Sequence, residues 1–331
     1  MTARRERLAA AIAGEIADRP PVALWRHFPV DDQDPRSLAD SVVAFQRLFD
    51  FDLVKVTPAS SYALVDLGVA DEWQGSTEGT RVYTRRVVQN VEDWPALARL
   101  SARSGALARH IECLRSIVRE VGGDTPVLAT IFSPLAQAKN LAGQDRLTEH
   151  LRQAPRQVEA GLSILTETSV DLVTAARQAG IDGIFYAIQH ASSQFMDRET
   201  YRRLAEPIDR RILEAADGLF LNLLHLHGTE IFFDLGATLP VQAVNWHDRE
   251  TAPSMAEARR LTRRALCGGV GRIDPLVLGN AEAVLGEARE AIRATGGGRG
   301  LILGTGCVVP LTAPLGNLRA VRAAAEAEGS P

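Results

Sequence analysis

Eight short apolar, β-rich runs separated by long amphipathic stretches constrain this chain more than any other feature. The runs cover 22–25, 52–57, 127–132, 183–188, 220–225, 243–246, 265–270 and 301–305. Helical spacing fills the gaps between them, as in 37–49, 107–121, 198–216, 255–264, 281–294 and 314–328. Alternation of this kind builds a parallel sheet, because each helical crossover returns the chain to the same edge. Eight units in 331 residues predict one α/β domain over residues 1–331, a single (β/α)8 TIM barrel with a charged N-terminal helix. The stretch 147–179 is too long for one ordinary helix, and Pro155 predicts a break or a kink. A small polar hairpin over 81–88 is expected after the second strand.

An open dinucleotide-binding sheet is disfavoured. The turn after Trp25 reads Arg26-His27-Phe28-Pro29 and lacks the glycine fingerprint. The net charge of −4 supplies no basic face for nucleic acid. Three cysteines without even spacing, Cys113, Cys267 and Cys307, point to a reducing cytoplasm rather than a disulfide framework. Cys113 and Cys267 fall mid-helix and mid-strand, as core residues do. The N-terminus has no apolar signal segment, and no run approaches the roughly 20 apolar residues that span a bilayer. A soluble cytoplasmic protein is expected, with no membrane partner.

Barrels of this kind carry their chemistry at the carboxyl ends of the strands. Five of the seven histidines fall there. Strand one ends in Arg26 and His27, strand four in Gln189 and His190, and strand five in His225 and His227. Strand six ends in Trp246, His247 and Asp248, and strand eight is followed by Cys307. Strand alternation sends His225 and His227 to one face. With Cys307 they offer two imidazoles and a thiol, a donor set that suits zinc better than magnesium or manganese. The same histidines can also serve as metal-free acid–base groups. Arg26 has the planar fork that holds a carboxylate or phosphate, so a small anionic substrate is expected. Lysine occurs only at positions 55 and 139, and Lys55, inside a strand covered on both faces, needs a partner or a role in the site.

These residues resemble the uroporphyrinogen decarboxylase superfamily over nearly the whole chain. The resemblance rests on Arg4-Arg5-Glu6-Arg7-Leu8 leading to Asp18-Arg19-Pro20-Pro21-Val22, on strand two, on His225-Leu226-His227-Gly228 and on Asn245-Trp246. Its most specific piece is Gly304-Thr305-Gly306-Cys307-Val308-Val309-Pro310 with Pro314 and Asn317. It implies a (β/α)8 barrel and one of two activities. The decarboxylase branch uses an arginine pair and an aspartate after strand two. Here only Arg26 matches, and Thr57-Pro58 stands in the aspartate's place. The branch of zinc methyltransferases, which act on thiols and corrinoid proteins, ligates zinc through His-x-Cys and a distant cysteine. Here His225 and Cys307 match, while His227 replaces the nearer cysteine.

The resemblance therefore implies zinc on His225, His227 and Cys307, with a corrinoid as methyl donor or acceptor and a corrinoid protein as partner. His190, His247 and Asp248 are the candidate proton-transfer groups, with His247 or Asp248 also able to complete the metal site. Arg26, His27, Lys55, Gln189 and Trp246 are the candidate substrate contacts. The rival readings are a metal-free decarboxylase of a carboxylated substrate, protonating its product from His190 or His225, and a non-catalytic corrinoid- or tetrapyrrole-binding barrel. That binder would be lined by Trp25, Phe28, Phe132, Phe185 and Trp246.

Overall fold

A computed structural model describes residues 3–328. Ten strands follow in chain order: β1 (Val22–Ala23), β2 (Val54–Val56), β3 (Ala70–Glu72), β4 (Val82–Arg85), β5 (Val127–Phe132), β6 (Gly183–Ile188), β7 (Leu223–Leu226), β8 (Ala243–Trp246), β9 (Ala265–Val270) and β10 (Leu301–Thr305). Eight of them form one parallel sheet in the order β1-β10-β9-β8-β7-β6-β5-β2. This is a nearly closed barrel surrounded by helices. No ladder joins β1 to β2. Their seam is held at its base, where the Asp52 amide donates to the Val22 carbonyl at 2.8 Å.

Alternation along each strand sorts side chains into two layers. Val54, Val56, Leu224, Leu226, Val244 and Trp246 face the helices. Ala23, Trp25, Leu53, Leu128, Phe185, Leu223, Ala243 and Cys267 fill the barrel interior. The N-terminal helix Ala3–Ala13 closes the base by inserting Leu8 and Ala11 beneath these residues. Next to it, the fully buried Asp52 accepts two bonds from the Arg19 guanidinium, at 2.7 and 2.9 Å. It accepts others from Arg7 at 3.1 Å and from the Val22 amide at 2.8 Å.

Two sequence expectations shift and a third holds. The hairpin is not contained in 81–88; β4 pairs antiparallel with β3, twelve or so residues earlier, and residues 73–81 form the connection. The fifth barrel strand begins at Leu223, not at 220, because Asn222 replaces regular pairing with side-chain bonds. Its Oδ1 accepts from the Ile184 amide at 3.2 Å, and its Nδ2 donates to the Ala216 carbonyl at 2.9 Å. The long stretch does divide at Pro155, into Gln144–Gln153 and Pro155–Gln178. Proline keeps the preceding residue out of the helical region, and Ala154 sits at φ −143°. Cys113 and Cys267 are buried, as expected. Among the described residues no helix is long and apolar enough to cross a membrane.

Candidate active site

The carboxyl ends of the strands open into a cavity of about 630 Å³. On its floor, His225 of β7 and His227 just beyond it both face inward, as the alternation requires. Asn245 and His247 come inward from β8, and Cys307 arrives from the turn after β10. One donor atom from each of His225, His227, His247 and Cys307 lies within 4.8 Å of all the others. Cys307 Sγ is 3.8 Å from both His225 Nε2 and His227 Nδ1, and His247 Nε2 is 3.2 Å from His227 Nδ1. Zinc bonds of about 2.0–2.3 Å in a tetrahedron would set neighbouring donors about 3.3–3.6 Å apart. The donor set and its spacing therefore fit zinc.

Gly306 makes this approach feasible, since a Cβ there would lie 2.5 Å from the Trp246 carbonyl oxygen. Asn245 then fixes the protonation of His225. Its Nδ2 donates to the carbonyls of Cys267 and Thr305, at 2.9 and 3.0 Å, so its Oδ1 must be the atom facing His225 Nδ1 at 2.6 Å. His225 accordingly carries its proton on Nδ1 and turns the Nε2 lone pair toward Cys307. A hydrogen bond to the remote ring nitrogen is how proteins orient an imidazole ligand. His247 is oriented in turn by Glu250, 3.2 Å from its Nδ1, and Glu250 pairs with Arg272 at 2.7 Å. Arg272 continues to Glu78 in the 73–81 segment.

Burial keeps the imidazoles neutral. It lowers His225 well below the usual range and His227 to about 4, and it also lowers His247. Burial has the opposite effect on Cys307, raising its thiol against the pull of the Val308 amide, Arg272 and Lys55. Neutral imidazole is the ligating form, whereas the thiol has to lose a proton to bind.

The other predicted residues divide between the cavity and the outer layer. His27, Lys55, Gln189 and His190 line the cavity. Lys55 lies 4.5 Å from the Phe185 ring centre, donates to Thr57 at 3.2 Å, and is lowered by burial to about 7. His190 faces Gln144 Oε1 at 2.9 Å, and its Nδ1 has no partner among the described residues; burial lowers it to about 3. His27 is likewise lowered to about 3, and its ring backs onto Gly79, where a Cβ would come within 2.4 Å of the His27 Cβ.

Arg26, Trp246 and Asp248 are not brought to the cavity. Each alternates with an inward neighbour and points outward. Arg26 stacks over Phe28 and Phe45, 5.3 and 6.0 Å from the ring centres. Trp246 packs on Phe233 and donates to the Pro253 carbonyl at 2.8 Å. Asp248 tucks beneath β9, accepting from the Gly269 amide at 3.1 Å, and burial raises it to about 7. Of the aromatic residues expected at the mouth, Trp25, Phe132 and Phe185 line it and Phe28 does not. Sequence reasoning missed Arg86 and Lys139, which reach the cavity from outside the strands.

A family model described as Uroporphyrinogen decarboxylase (URO-D) matches residues 3–327. The methylated-thiol–coenzyme M methyltransferase of Methanosarcina mazei is 25% identical over 350 residues, covering 98% of this chain and 90% of that protein. Among solved structures, a methyltransferase from Methanosarcina mazei superposes with a TM-score of 0.86 at 21% identity, covering 99% of both chains. A B12-independent methionine synthase from Shewanella sp. W3-18-1, in complex with selenomethionine, gives a TM-score of 0.60 at 14% identity, covering 88% of this chain and 86% of that one. The match across almost every residue settles the family: this chain is an enzyme of the uroporphyrinogen decarboxylase family.

Proposed function

We propose that this enzyme transfers a methyl group to a thiol, with zinc held by His225, His227 and Cys307 and with His247 in reach as a fourth donor. The observation that carries the reading is the convergence of those four donors, three of which line the cavity. The methyl donor would be a methylated thiol, as the name of the Methanosarcina relative suggests, or a methylated corrinoid.

Zinc bound there would act as a Lewis acid toward a thiol, favouring its thiolate near neutral pH. The protein's own contribution is preorganisation. Asn245 presents the Nε2 lone pair of His225, and Glu250 fixes the ring of His247. Lys55, held near neutrality by burial, is the base assigned to take up the thiol proton. Trp25, Phe132 and Phe185 wall the cavity with apolar surface and limit water around the methyl group. Decarboxylation without a metal is less favoured, because it asks for a histidinium to protonate a carbanion, and burial holds His190 and His225 neutral.

Metal analysis of protein grown with added zinc and purified without chelators tests the proposal. The expected result is about one zinc per chain, lost for the most part in Cys307→Ser with the thermal transition kept. Zinc-free wild type, or full zinc in Cys307→Ser, would overturn it.

A further inference from the structure

Five charged side chains other than histidine line the cavity: Lys55, Glu78, Arg81, Arg86 and Lys139. Two are neutralised by the protein. Glu78 pairs with Arg272, and Arg81 is held by Asp71 at 2.7 Å and Asp32 at 3.4 Å. Lys55 is engaged by Thr57 at 3.2 Å and by the face of the Phe185 ring at 4.5 Å, and burial lowers it to about 7. Arg86 and Lys139 remain, and among the described residues neither meets a carboxylate. Arg86 turns one terminal nitrogen to the carbonyls of Lys139 and Asn140, at 3.0 and 2.8 Å, and lies 4.9 Å from the Tyr83 ring centre. Its other terminal nitrogen has no acceptor among the described residues. The Lys139 ammonium donates to Gln189 Oε1 at 3.1 Å.

Two cations side by side in a partly buried wall repel each other, and burial together with the charge of Arg86 lowers the pKa of Lys139. A merely structural arginine would be expected to carry a counter-ion, as Arg249 does with Glu287 at 3.2 Å. Here no carboxylate among the described residues supplies the counter-charge, and both side chains line the cavity.

We infer that Arg86 and Lys139 form the subsite for an acidic group of the substrate, so that the thiol handled by this enzyme bears a carboxylate, sulfonate or phosphate. Gln189 positions the ammonium, and the backbone carbonyls of residues 139 and 140 position the guanidinium. This anchor replaces Arg26, which faces away. The inference rests on the thiol reading only for the other end of the molecule.

The test is calorimetry with mercaptopropionate and with mercaptopropanol, a neutral thiol of the same chain length, on zinc-loaded protein. Wild type should prefer the acid by about ten- to a hundredfold, the range for a charge-assisted bond. The double variant Arg86→Gln/Lys139→Gln should bind both thiols alike and keep its zinc, while Lys139→Arg should retain the preference. An acid preference that survives the double substitution, or none in wild type, would overturn the inference. Propionate binding to the zinc-free protein separates the two readings. Its loss in the double variant supports the subsite even where zinc is never bound, and its persistence there counts against the subsite whatever the metal does.

Discussion

At the base of the barrel, the Asp52 carboxylate is engaged by Arg19, Arg7 and the Val22 amide. At the rim, His27 and His190 each keep a buried nitrogen with no partner among the described residues. The same strands supply both ends. The base spends its polar groups on one another, and what results is stability. The rim leaves donors, lone pairs and cations unsatisfied around a cavity, and a buried polar atom without a partner is tolerated only where something else, such as a ligand, repays it. The same division separates the arginines. Arg19 and Arg81 are saturated by carboxylates, whereas Arg86 is not.

The largest effect should come from the base. Asp52→Ala leaves Arg19 buried without its partner and should cost about 3–5 kcal/mol in urea unfolding, with zinc binding intact in whatever fraction stays folded. A loss of metal larger than the loss of fold would erase the distinction between the two ends. At the rim the order reverses. Asn245→Ala removes the bond that orients His225 and should weaken zinc about ten- to a hundredfold, measured by competition with a chromophoric chelator. An unchanged affinity would show that packing against Phe185 alone, 5.1 Å between ring centres, aligns the ligand.

The pH profile sharpens the comparison further. Because burial raises the Cys307 thiol, the metal-free site carries that proton throughout the neutral range, and zinc bound as proposed would have to displace it. Apparent affinity should therefore rise about tenfold per pH unit through neutrality. It should fall more steeply below about pH 4, where His227 also takes up a proton. A flat profile through neutrality would remove Cys307 from the ligand set. The smallest effect is expected at Arg26, which lies on the outer layer. Arg26→Ala should cost about 0.5–1 kcal/mol from its lost contact with two phenylalanine rings, and it should leave ligand affinity unchanged.

Much of this is legible in the sequence, and the failures have two causes. Counting strand ends located the rim, and the two-residue period placed His225 and His227 on one face. The same period, carried through every strand, would have sorted Trp25 and His27 from Arg26, and Asn245 and His247 from Trp246 and Asp248. Charge and reactivity drew attention to Arg26 and Asp248, although parity turned both toward the helices. Arg86 and Lys139 were not legible by this route. One follows the hairpin and the other lies on the helix Pro134–Ala142, so neither obeys the strand period. Only the folded chain brings them together.

The missing ladder between β1 and β2 has a mechanical consequence. A barrel joined around its circumference except at one place is a split ring, and among the described residues the split is hydrogen-bonded only at the bottom, where Asp52 and Val22 are linked twice. Strain on such a ring would part it like a collar, wider at the mouth than at the hinge. The edges of the split run directly into His27 on one side and Lys55 on the other, so any dilation changes their separation first. The floor donors on β7 and β8 lie far around the ring, tied by continuous ladders, and keep their spacing. Hydrogen exchange should register this gradient, with the amide of Leu24, which faces the split, exchanging well before those of His225 and Asn245.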